Sequence, residues 1–132
     1  MPEAVPQWSM PVSADVRRLC QDLLEPGERI DYLVPVTLAW IGALPAEIDC
    51  YLAVTDRRIA VLTGSQWRRG RPTEVNLQFP RTTRLGPVDF RPVPTVDLGS
   101  RSYEIDEEYV AAVHAADAEL DGLLPEDPFP DG

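Results

Sequence analysis

The chain contains no lysine; all of its 12 cationic side chains are arginine, which points to a GC-rich genome rather than to a mechanism. It has one histidine, His114, and two cysteines, Cys20 and Cys50, without CxxC spacing. Also missing are GxSxG, HExxH, the Walker loop and GxGxxG, so no motif supplies a nucleophile, a metal pair or a phosphate cradle. His114 falls inside a helical pattern, followed by Ala115 and Ala116, and reads as a packed or surface side chain rather than a general base. Cysteine–histidine chemistry needs Cys20 or Cys50 to meet His114, and nothing in the spacing brings them together. Asp106, Glu107 and Glu108 are consecutive, and on a helix such residues point about 100° apart, which cannot enclose one ion. Enzyme activity, a cofactor, a metal and a small-molecule substrate are therefore not expected.

Long apolar runs are missing as well. None approaches the ~20 residues that a membrane-spanning helix needs. The opening "MPEAVPQWSMPVSADVRR" lacks a basic segment followed by an apolar one, so it does not read as a signal peptide. A cytoplasmic protein is expected. Each cysteine sits in an apolar pattern and reads as a small buried hydrophobe, with a disulfide between them left open.

What is present suits one domain. The 132 residues include 44% hydrophobic side chains, which suits a folded core, and 14 prolines, which favour short strands and turns. The net charge of −10 opposes nucleic acid as a partner. That charge is uneven: residues 1–56 and 102–132 are acidic, while residues 57–101 hold nine arginines against three acids. The basic middle either meets an anionic partner or pairs with the acidic ends of its own chain, and internal pairing is the preferred reading.

The pattern along the chain predicts an arm over 1–12, a single domain over 13–124 and an acidic, disordered tail over 125–132. Ser13 can cap a helix from Ala14 to Glu25, with Val16, Leu19, Cys20, Leu23 and Leu24 as its apolar stripe, ended by Pro26 and Gly27. The period then falls to two. Ile30, Tyr32, Val34, Val36 and Leu38 share one strand face, followed by an apolar turn, "TLAWIGALPAE". Ile48, Cys50, Leu52 and Val54, then Ile59, Val61 and Thr63, form a hairpin around Asp56-Arg57-Arg58, where Asp56 can accept hydrogen bonds from its own turn. Val75, Leu77 and Phe79 alternate with Glu74, Asn76 and Gln78. Short apolar segments follow at 84–88 and 93–98, then a turn at Gly99-Ser100 and a strand through Tyr103 and Ile105. Asp106 caps a second helix whose stripe is Tyr109, Val113, Ala116, Leu120 and Leu123. Six or seven antiparallel strands closed by a C-terminal helix predict an α+β domain, a small sheet bent round a core.

Three stretches, "LEPGERIDYLVPV", "YLAVTDRRIAVLT" and "YEIDEEYVAAVHAA", resemble the bacterial pleckstrin-homology-like (PH-like) and GRAM-like domains over residues 24–120. In those domains a Pro-Gly-Glu lead-in precedes the first strand, a Val-Thr-Asp-x-Arg turn joins two central strands, and the last strand runs into a capping helix. The resemblance implies a bent antiparallel sheet or partly open barrel of about seven strands, here with an extra N-terminal helix. Some pleckstrin-homology domains hold phosphoinositide headgroups with basic residues between their first two strands. The corresponding "TLAWIGALPAE" has no arginine, so that role does not carry over.

The basic candidate lies elsewhere. "SQWRRGRP" sets Trp67 beside Arg68, Arg69 and Arg71, an indole with guanidinium groups that can dock on an anionic membrane surface or an acidic peptide. A solvated loop balancing the acidic helix explains the same residues. Trp8, Trp40 and the apolar Ile41–Leu44 turn offer a surface for a protein partner or a second copy, unless Trp40 is core and Trp8 only docks the arm. The leading expectation is a non-enzymatic interaction module binding a protein or itself. The alternative is an anionic-lipid binder acting through residues 65–72.

Overall fold

The computed structural model describes residues 12–64, 71–90 and 92–123. The expected arm, apart from Val12, and the expected tail lie outside them. Helix α1 runs Ala14–Leu23, with the Ser13 hydroxyl accepting from the Val16 amide at 3.2 Å and Asp15 in the first turn. Gly27 follows at φ 81°, the left-handed region that a residue without Cβ enters freely, and turns the chain into the sheet.

Six strands follow: β1 (Ile30–Ile41), β2 (Leu44–Thr55), β3 (Arg58–Thr63), β4 (Glu74–Pro80), β5 (Thr95–Leu98) and β6 (Arg101–Ile105). They lie in the order β4-β3-β2-β1-β6-β5, with every pair antiparallel. After β6 come a 3-10 turn, Glu107–Tyr109, and helix α2 (Val110–Leu123), with Asp106 capping the Glu108 amide at 3.2 Å. The sheet bends until its ends approach without forming a ladder: Arg101 on β6 donates to Asn76 on β4 at 2.9 Å. The α+β class and the bent sheet with a C-terminal helix stand as expected, with six strands among the described residues, the lower of the two counts that the pattern allowed. After Pro80, which ends β4, the described residues up to Pro94 form no strand. They meet the sheet through an isolated bridge, Asp89 to Thr95, and through the Pro94 carbonyl, which accepts from the Ile105 amide at 2.9 Å, and they contain a cis peptide at Gly86–Pro87.

Both faces of the sheet are covered. The inner face gathers Val34, Val36, Leu38, Cys50, Leu52, Val54, Ile59, Val61, Tyr103 and Ile105 with Val113 and Ala116 of α2. The outer face carries a second cluster, in which Cys20 and Leu24 pack with Leu33, Ala53, Ala60 and Leu62. The central strands are thus buried on both sides, which explains why "YLAV" and "IAVL" are continuous apolar runs rather than alternations. Two residues depart from the expected faces. Ile30 and Val75 join the outer cluster, because register shifts lie between Ile30 and Tyr32 and between Val61 and Leu62 on the partner of Val75. A one-residue shift moves a side chain to the other face, and a regular period cannot anticipate it.

The apolar "TLAWIGALPAE" is a strand hairpin and not a loop. β1 continues to Ile41, Gly42 turns at φ 62°, and β2 starts at Leu44. The Gly42 amide donates to the Ser100 carbonyl at 2.6 Å, which ties this tip to the β5–β6 turn.

Segment 81–90 is fastened to α2. Both carboxylate oxygens of Asp117 accept from backbone amides, Leu85 and Gly86, each at 2.8 Å. Leu85 inserts into the inner core. A side chain at position 86 would begin 2.9 Å from Asp117 Oδ2, so glycine is what allows this approach.

Candidate functional site

The corner where "EPGER" meets "VTDRR" is a polar knot. Glu28 is 2% exposed, and its carboxylate accepts from Arg58 Nε and Nη2 at 3.0 Å each. The Thr55 hydroxyl donates to it at 2.6 Å and the Glu25 amide at 3.1 Å. Burial by itself would raise the Glu28 pKa, but the bonds from Arg58, Thr55 and the Glu25 amide outweigh it and hold the group at about 2. The turn itself is organised by Thr55, whose hydroxyl accepts from the Arg57 and Arg58 amides. Asp56 acts across the corner instead of on its own turn: its Oδ1 accepts from the Arg29 amide at 2.8 Å. The two motifs are thus halves of one structural latch.

Beside this latch lies a cleft of ≈ 330 Å³ lined by Arg29, Asp31, Tyr32, Asp56, Arg81 and Glu119. Its charges are largely matched within it. Arg29 pairs with Asp31 at 2.8 Å, while Glu119 accepts from Tyr32 at 2.8 Å and from Arg81 at 3.0 Å. The hydrogen bond to Glu119 raises the Tyr32 hydroxyl above its ordinary value. Three carboxylates against two guanidinium groups do not favour an anion. The cleft presents a strap between α2 and the sheet more than a chemical centre.

Four of the ion pairs follow the charge asymmetry of the sequence. Arg57 reaches Glu25 and Arg58 reaches Glu28; Arg81 reaches Glu119 and Arg84 reaches Asp121. Four arginines of the basic middle therefore pair with acids from the two ends, as internal pairing required.

Of the basic candidates, Trp67, Arg68 and Arg69 lie outside the described residues. Arg71 is described and exposed, and its carbonyl lies against Gly64, where a Cβ would stand 2.0 Å away. His114 is exposed on α2. Among the described residues no group of three His, Cys, Asp or Glu side chains is placed to hold a metal ion. Cys20 and Cys50 are free and buried in different clusters, and burial pushes each thiol up to about 11. No helix among the described residues is long and apolar enough to cross a membrane.

Among the described residues, four of the exposed large apolar side chains lie at the β1–β2 tip. Trp40 is 46% exposed, Ile41 36%, Leu44 70% and Ile48 42%. Ile41 faces Leu44 across the ladder and Trp40 faces Pro45, so the two pairs lie on opposite faces of the hairpin tip. Trp40 is therefore not core, which the sequence left open. Ile48, expected to alternate inward with Cys50, stays exposed although its ladder partner Leu38 is buried in the inner core.

Comparison with protein-family models, with curated proteins and with solved structures finds no match to this chain. The class rests on the fold and on these surfaces: an α+β domain with a bent antiparallel sheet and a C-terminal helix.

Proposed function

We propose that the chain is a non-enzymatic, cytoplasmic interaction module of PH-like architecture that holds a protein partner or a second copy of itself. The observation that carries this reading is the apolar tip formed by Trp40, Ile41, Leu44 and Ile48. Exposed apolar side chains gathered on both faces of one hairpin tip suit a contact surface. The PH-like assignment is supported by the three sequence stretches and by a bent sheet whose concave side is filled by the last helix. The test combines sedimentation equilibrium of the full chain with quantitative affinity capture from its native cells. Both are repeated with Ile41→Glu/Leu44→Glu. Self-association or a captured protein that the variant loses supports the reading; a strict monomer with identical captured sets refutes it.

Arg71, exposed and without an ion pair among the described residues, supports a second reading, in which residues 65–72 bind anionic lipid. Salt-sensitive sedimentation with anionic liposomes is its test, and no binding at low salt removes it.

A further inference from the structure

β2 outruns its neighbour. β3 pairs with β2 only over Cys50–Val54, yet β2 begins at Leu44. Among the described residues no strand pairs with the other edge of Leu44–Asp49, which amounts to about 20 Å of backbone at 3.3 Å per residue. Pro45 offers no N–H, so an added strand would hydrogen-bond from Ala46 to Asp49.

The side chains flanking that edge are of two kinds. Leu44 and Ile48 are apolar and exposed. Glu47 and Asp49 are acidic and exposed, and neither has an ion pair among the described residues. Alternation along β2 puts Ile48 on one face and Glu47 and Asp49 on the other. Two copies joined edge to edge would crowd their Glu47 and Asp49 carboxylates together, in a chain already at −10. The same carboxylates repel an anionic bilayer and attract a cationic strand.

We propose that the edge of β2 left unpaired among the described residues takes up an extended segment of a partner polypeptide in which basic and apolar residues alternate. Basic side chains sit beside Glu47 and Asp49, and apolar ones beside Ile48 and Leu44. Backbone pairing gives the grip and the alternation gives the selectivity. This inference rests on the interaction-module reading and names the chemistry of the partner.

The probe is a fluorescein-labelled ten-residue peptide of alternating arginine and valine, titrated against the full chain by anisotropy. Controls are a peptide of the same composition with arginines and valines in separate blocks, and two alternating peptides N-methylated on opposite edges. The alternating peptide should bind at least ten-fold tighter than the block peptide, and one N-methylated peptide should lose that advantage. Glu47→Arg/Asp49→Arg, both at exposed positions, should weaken binding at least ten-fold. Equal binding of all the peptides means bulk charge attraction and overturns the proposal, as does unchanged binding by the variant. Binding that appears only with Arg68→Ala/Arg69→Ala assigns the edge to the chain's own residues and overturns it too. If the peptide fails while Ile41→Glu/Leu44→Glu still abolishes an association, the edge assignment fails alone and the interaction reading stands.

Discussion

Replacing Glu28 by glutamine removes the charge from the corner latch while keeping its shape. In the native protein the carboxylate takes two bonds from Arg58 and one each from Thr55 and the Glu25 amide. Its pKa falls from the ordinary 4.5 to about 2. At 1.36 kcal/mol per unit, that difference is worth about 3 kcal/mol of folding stability near neutral pH. Removing one partner of a buried ion pair costs roughly 3–5 kcal/mol by a separate route, because Arg58 is left without its counter-charge. Arg58 retains 18% side-chain exposure and a 2.6 Å bond to Gln78, which favours the lower end of that range. The folded pKa lies below the unfolded one, so this contribution is complete above pH 4.5 and is lost as pH falls towards 2. Urea unfolding followed by far-ultraviolet dichroism should give Glu28→Gln a deficit of about 3 kcal/mol at pH 7. The deficit should shrink steadily below pH 4.5, since other carboxylates titrate alike in both proteins. A deficit under about 1 kcal/mol at pH 7, the level of a surface pair, refutes the latch; so does one that stays constant down to pH 2.

Other outcomes follow from named contacts. Leu120→Ala, at a position 1% exposed on α2, should cost about 2–5 kcal/mol in urea unfolding, the range for emptying a core site. Asp117→Ala leaves the Leu85 and Gly86 amides without their acceptor, and hydrogen exchange at those two amides should accelerate while the sheet amides keep their protection. Gly42→Ala should cost about 1 kcal/mol from its left-handed backbone alone, since nothing lies within 4 Å of the added methyl. A larger loss in thermal unfolding contradicts that. Both thiols should resist Ellman's reagent at pH 8 in the native protein and react fully in urea, because each is buried with its pKa raised to about 11.

Much of this protein is local and therefore legible in its sequence. Ser13, Pro26 and Gly27 bound the first helix, Asp106 starts the last, and period-two runs lay out the strands, because caps, turns and alternation depend on neighbours a few positions apart. The inner core followed from the same runs: Val34, Val36, Leu52, Val54 and Tyr103 all face it. Tertiary structure alone decided what depends on meetings between distant segments. Which face α1 covers was not fixed by its stripe, although the unbroken apolar runs at 51–54 and 59–62 carried the signal of strands buried twice over. Ile30 and Val75 change faces at register shifts that no period records. Trp40 is exposed at the end of β1, on the hairpin that also carries the β2 edge left unpaired among the described strands. The Pro-Gly-Glu lead-in and the Thr-Asp-Arg-Arg turn show their purpose only when the chain folds back. Glu28 and Arg58 are then brought to 3.0 Å, and a charge that neither segment could bury alone is stabilised by the other.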